Sequence, residues 1–136
     1  MDDERQNTIL IVDDEAMCIN FLLLLLQNEF TILVAKDGKT AIEIAKTHLP
    51  DLILLDVDMP DMSGYEVLAT LKTFDETKAI PAIFITSRER STDEENGLRL
   101  GAVDYISKSS GADIIKMRIR NQMHMINDMR NTFIRM

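Results

Sequence analysis

The chain has 136 residues, which fits one domain, and its 46% hydrophobic and 28% charged residues make an ordinary globular balance with material for a sizeable core. A formal net charge of −8 excludes a bare nucleic-acid or anionic-membrane binder, because both of those surfaces are themselves negative.

In chain order, the start "MDDERQNT" is polar and mostly acidic, unlike a signal peptide. "TILIVD" (8–13) reads as a first strand, rich in β-branched residues. A helix follows from about Glu15 to Asn28, apolar almost all round. Its polar positions, Asn20 and Gln27, mark an outer face that Leu23 or Leu24 must share. Its run "FLLLLL" (21–26) is far too short to span a bilayer. Cys18, the single cysteine, allows no internal disulfide, fits a reducing cytoplasm and reads as a buried filler. "TILVAK" (31–36) is a second strand, and His48 closes the helix after it, where a cation suits the negative helix end. Pro50 leads into "DLILLD" (51–56), whose unbroken apolar run predicts a strand buried on both faces. Ser63 with Glu66 forms a capping box for the next helix. Pro81 leads into "PAIFITS" (81–87), Ser91 with Glu94 forms a second capping box, and Gly101 stands where that helix stops. "AVDYIS" (102–107) is the fifth strand. In the last helix Ala112, Ile115, Ile119, Gln122, Ile126, Met129 and Phe133 recur at steps of three and four, a heptad-like seam broken by Gln122.

Alternating strands and helices imply a mostly parallel sheet covered by helices on both faces, with right-handed crossovers. In such a sheet the carboxyl ends of all strands share one edge, and ligands bind there. Asp13 and Asp14 end the first strand, Asp56 the third with Asp58 just beyond, Thr86 and Ser87 the fourth, and Ser107 and Lys108 the fifth. Crowded carboxylates repel, and a hard divalent cation relieves them; all-oxygen ligation suits Mg²⁺. Metal, nucleophilic carboxylate, hydroxyl and lysine together suit phosphoryl transfer, with an Asp able to accept the group as an acyl phosphate.

"ILIVDDE", "LILLDVDMPDMSGYEVL", "IPAIFITS" and "GAVDYISK", collinear over roughly residues 8 to 125, resemble the successive motifs of a response-regulator receiver domain. The resemblance implies a doubly wound, flavodoxin-like α/β fold: a five-stranded parallel sheet in the order 2-1-3-4-5 with five flanking helices. It implies Asp56 as phosphoacceptor, and Asp13 and Asp14 as the acidic pair that holds Mg²⁺. Asp58 falls where a backbone carbonyl meets the metal, Thr86 matches the hydroxyl that moves toward the phosphoryl group, and Lys108 matches the lysine that pairs with it. Tyr105 matches an aromatic residue whose rotamer follows Thr86; simple packing explains it equally well. A histidine kinase or phosphotransfer protein would be the donor, and in this family the first helix meets the kinase's helical bundle.

The last helix is similar to those of receivers that precede diguanylate cyclase, HD-type phosphodiesterase or kinase modules. Residues 1–125 are thus expected to form the receiver and 126–136 a helical linker to an effector absent from this chain, unless the receiver works alone. The seam through Ile119, Ile126, Met129 and Phe133 is expected to pair two copies in parallel. The protein is expected to be cytoplasmic, without nucleic-acid or membrane partners, and no enzyme beyond its own phosphorylation and dephosphorylation.

Two other readings compete. Asp56-Val57-Asp58 also fits the D-x-D of haloacid-dehalogenase-like phosphatases, but those take Thr or Val where this chain has Pro60, and they have no evident use for Asp13–Asp14. A phosphorylation-independent interaction module of the same fold would leave the complete acidic set unexplained. One departure from the receiver pattern stands out. Most receivers follow the fifth-strand lysine with a proline joined through a cis bond, and this chain has Ser109. At serine the cis form costs about 2.5–4 kcal/mol. A trans bond is therefore predicted, with Ser109, Ser110 and Gly111 forming the turn and helix cap, and Lys108 needing a different reach that would slow phosphorylation.

Overall fold

Strands form where the sequence concentrates Ile, Val and Leu: β1 (Thr8–Val12), β2 (Thr31–Ala35), β3 (Leu52–Leu55), β4 (Ala82–Thr86) and β5 (Asp104–Ser107). Helices α1 (Ala16–Leu26), α2 (Gly38–His48), α3 (Gly64–Leu71), α4 (Ser91–Arg99) and α5 (Ala112–Arg135) fill the intervals. The computed structural model describes residues 6–87 and 91–135, without the side chains of 91–93 and 133–135. The sheet is parallel throughout, in the order β2-β1-β3-β4-β5, as predicted.

The unbroken apolar runs are explained by cover on both faces. Ile9, Ile11, Leu54, Ile83 and Ile85 pack with Ile19, Leu22 and Leu26 of α1 and Ile115, Ile119 and Met123 of α5. Their neighbours in the strands, Leu10, Val12, Ile53, Leu55 and Phe84, pack with Ala41 and Ala45 of α2 and Val67, Leu68 and Leu71 of α3. Each fully buried Leu or Ile contributes about 1.5–3 kcal/mol, so the two layers are the main source of stability.

The helix ends follow local chemistry. Asp37 caps α2 by accepting from the Thr40 amide at 2.7 Å. The predicted box on α3 is complete, with Ser63 Oγ accepting from Glu66 N at 3.1 Å and Glu66 Oε1 from Ser63 N at 2.8 Å. The box drawn on Ser91 rests on a side chain outside the described part of the structure. Gly101 takes φ 103° after α4, a turn that glycine makes without strain.

The last helix differs from its sequence pattern. Ile115, Ile119 and Met123 are buried and Ile126 packs on the same cluster. Ile119 therefore belongs to the molecule's own core and to no exposed seam, which corrects that expectation. Met123, rather than Gln122, continues the inward face, because a helix lying on a sheet uses whichever apolar neighbour the step of three or four allows. Beyond it Asn127 exchanges two hydrogen bonds with Asn7, at 3.0 and 3.1 Å, and Arg130 pairs with Asp51 at 2.6 Å. Met129 is exposed, and the side chain of Phe133 lies outside the described residues.

Candidate functional site

Strand register builds the site. Val12 pairs with Leu55, so the next residues, Asp13 and Asp56, leave the sheet side by side. Their backbones are held in place: Asp56 N donates to Val12 O at 2.9 Å and Asp13 N to Ala35 O at 3.1 Å. Both side chains are buried, at 2% and 6% exposure, while Asp14 is exposed. Carboxylate oxygens of Asp13, Asp14 and Asp56 all lie within 4.8 Å of one another. Thr86, wholly buried, ends β4 opposite Ser107 of β5. Asp58 is exposed in the loop after β3, outside the carboxylate cluster.

Lys108 crosses the end of the sheet to these acids. Its Nζ lies 3.0 Å from Asp13 Oδ2, 3.1 Å from Glu15 Oε1 and 3.5 Å from Asp56 Oδ1. The turn that delivers it is a short 3-10 segment, Lys108–Ser110, capped by Ser107 Oγ accepting from Ser109 N at 3.2 Å. Gly111 then takes φ 93°, and its carbonyl accepts from Ile115 N at 3.1 Å to start α5. There is no cis peptide bond among the described residues, so the Lys108–Ser109 bond is trans as expected. The lysine reaches both buried carboxylates from it. Ser107 was not foreseen as the cap.

The electrostatics follow from burial and crowding. Desolvation, then the Asp13 charge, push Asp56 up to about 6, against the pull of Lys108 and the Val57 amide. Burial pulls Lys108 down, but the Asp13 and Glu15 contacts and the Asp56 and Asp13 charges outweigh it and hold the ammonium above its usual range. Lys108 is thus a permanent cation facing more negative charge than it can neutralise. The donors of the cluster are all carboxylate oxygens, a set that fits a hard divalent cation. Cys18 also stands beside Asp13 and is half-buried rather than a closed filler. Burial and the Asp13 carboxylate push its thiol up to about 11, so without a metal it stays protonated.

Tyr105 is buried, its ring 6.0 Å from that of Phe84, and a Cβ on Gly97 would come within 2.9 Å of it. Three contributors to the site were given no role from the sequence. Glu15 binds Lys108 from the rim. Gly64 lets α3 approach so closely that a Cβ there would lie 2.1 Å from Asp56 O. Asp61 ties the β3–α3 loop to α2, accepting from Gly38 N at 3.0 Å and Lys39 N at 3.1 Å. Their only sequence signal was membership of the quoted motifs.

The sequence model described as response regulator receiver domain matches residues 9–120. A "Probable cyclic di-GMP phosphodiesterase" of Vibrio cholerae serotype O1 is 42% identical over 123 residues, 90% of this chain and 28% of its own length. "Histidine kinase P4" of Formosa agariphila is 38% identical over 119 residues, 88% of this chain and 9% of its own length. The chain thus spans less than a third of either relative. Among solved structures, the BeF3-activated N-terminal receiver domain of Klebsiella pneumoniae RstA is similar with a TM-score of 0.77 at 26% identity, covering 84% of this chain and 96% of that one.

Proposed function

This chain belongs to the response regulator receiver domain family, and on that premise we propose that Asp56 is the phosphoacceptor of a phosphorylation-switched receiver in two-component signalling. One observation carries the assignment: Asp56 is the buried carboxylate at a strand end that faces both Asp13 and Lys108. A carboxylate oxygen of Asp56 forms the new P–O bond while the P–N bond of a phosphohistidine breaks. The imidazole leaves with the bonding electrons and takes a proton from solvent.

Asp13, Asp14 and Asp56, with the backbone carbonyl of Asp58, would hold Mg²⁺, and the close oxygen cluster supports that set. When bound, the ion neutralises the carboxylates and the phosphoryl oxygens. Lys108 pairs with the phosphoryl group after transfer. The Thr86 hydroxyl turns toward it, and Tyr105 repacks against Phe84 and Gly97 in response, which carries the state to the surface of α4, β5 and α5.

A histidine kinase or phosphotransfer protein is the proposed donor, docking on α1, where Met17, Phe21 and Leu24 are exposed at steps of four and three. Residues 126–136 are proposed as the linker to an effector domain. Of the seam on α5, Ile119 is buried and Ile126 packs on the core, so a second copy would meet it only at the Met129 end; light scattering that reports a monomer at high concentration would remove that part. Among the described residues no helix is long and apolar enough to cross a membrane, and a cytoplasmic location is proposed. The chemistry is confined to the chain's own phosphorylation and its reversal; the phosphodiesterase and kinase names belong to much longer relatives. Neither the haloacid-dehalogenase-like reading nor the phosphorylation-independent one gains support from the comparisons.

The test is direct. With Mg²⁺ and acetyl phosphate, intact mass should show one added phosphoryl group on the unmodified protein and none on Asp56→Ala. Equal labelling of both proteins would end the assignment, and chelation of the metal should suppress labelling.

A further inference from the structure

Glu15 sits at the N-cap of α1 and makes no capping bond of its own. Its backbone is nevertheless pinned on both sides. Its N–H donates to Asp13 Oδ1 at 3.0 Å, and its carbonyl accepts from Ile19 N at 3.1 Å. The side chain is 66% exposed and reaches back over the acidic pocket to Lys108 at 3.1 Å. A surface ion pair of this kind is ordinarily worth about 0–1 kcal/mol. This one is different because the lysine is only 18% exposed and is shared with two buried carboxylates.

The three acceptors of Lys108 are not equivalent. Asp13 and Asp56 belong with Asp14 to the all-oxygen cluster suited to a hard divalent cation, whereas Glu15 groups with Asp13 and the Cys18 thiol, a donor that such a cation disfavours. Oxygens of Asp13 and Asp56 that turn to a cation are lost to the lysine, and the like charges then repel. Glu15 is the acceptor that stays with the ammonium.

We propose that Glu15 is a positioning residue that draws the Lys108 ammonium toward the rim of the pocket, leaving Asp13 and Asp56 accessible to Mg²⁺ while keeping the lysine within reach of the phosphoryl group. The proposal rests on reading Asp56 as the Mg²⁺-assisted phosphoacceptor. Without Glu15, the ammonium keeps only the two buried carboxylates it already touches and competes more strongly with the cation for them.

The test is a double-mutant cycle on Mg²⁺ affinity, measured calorimetrically with MgCl₂ and no phosphodonor. Glu15→Gln should weaken Mg²⁺ by about two- to tenfold, the lower part of the range over which contacting residues couple. In a Lys108→Met background, which keeps the apolar stem, the same change should cost less than about twofold, because no ammonium is left to position. The Lys108 side-chain ammonium signals in NMR give a second reading: with Mg²⁺ present they should be protected from solvent exchange in the unmodified protein and lose that protection in Glu15→Gln. Equal weakening in both backgrounds would mean a simple field effect and overturn the proposal, as would no weakening in either or unchanged lysine signals. A failure of the unmodified protein to bind Mg²⁺ or to accept label on Asp56 would overturn the underlying reading as well.

Discussion

Lys108 Nζ and Asp56 Oδ1 stand 3.5 Å apart across the carboxyl edge of the sheet, although their strands, β5 and β3, are separated by β4. The pair is made by topology, since 51 residues of intervening chain are folded back through one crossover after another to bring the two strand ends to one edge. Its consequence is electrostatic. A buried carboxylate beside Asp13 is costly to ionise, and Lys108 recovers part of that cost.

The first prediction is a pH dependence. Asp56 is pushed from 3.8 to about 6 in the fold, so the folded state holds its proton more tightly than the unfolded chain. The sign is therefore opposite to that of a salt-bridged carboxylate. Without metal, this group's stabilising contribution is present below about pH 4 and is lost as pH rises to about 6, a change on the order of 1–3 kcal/mol. Added Mg²⁺ displaces that proton, so its stabilising effect should be large above pH 6 and fade below it. Thermal melts with and without Mg²⁺ at pH 5 and pH 7.5 check this. An equal shift at both values would be inconsistent with the raised Asp56.

The second concerns the turn after β5. Ser109→Pro removes the amide that donates to Ser107 Oγ at 3.2 Å, and should cost about 0.5–1.5 kcal/mol of stability. Labelling by acetyl phosphate should hardly change, because Lys108 already reaches Asp13 and Asp56. A marked acceleration would show instead that the native turn holds the lysine poorly.

The third concerns Gly64. A Cβ at this position would meet the Asp56 carbonyl oxygen at 2.1 Å, and a backbone atom cannot step aside as a flexible side chain does. Gly64→Ala should destabilise the fold by about 1–3 kcal/mol through overpacking and should also slow labelling, since the strain falls on the acceptor's own backbone. On an unconstrained helix the same substitution would stabilise. A melting temperature at or above that of the unmodified protein would refute the close approach.

The fourth separates docking from chemistry. Leu24 is 74% exposed on α1, so Leu24→Glu should change stability by no more than about 0.5 kcal/mol. It should leave labelling by acetyl phosphate intact, yet reduce transfer from a histidine kinase that labels the unmodified protein by about tenfold or more. Undiminished transfer would remove α1 from the interface.

What the sequence determined by itself was local or periodic. Runs such as "LILL" made strands, turn and cap residues delimited them, and the alternation of strand with helix dictated a parallel sheet with one shared carboxyl edge. The placing of Asp13, Asp56 and Lys108 at that edge follows from strand direction alone. Tertiary structure decided everything that depends on which side of an element meets a neighbour. In α1 the run Leu22–Leu26 could present any of several faces, and packing against the sheet buried Leu22 and Leu26 and left Leu24 outside. In α5 it turned Ile119 and Met123 inward, where the spacing alone had drawn an exposed seam through Gln122. It set Glu15 on Lys108, a contact across 93 positions of sequence, and brought Gly64 against Asp56. A periodic pattern shows that a face is apolar, but only the surface packed against it selects which rotation of the helix is buried and which side chains are left to bind something else.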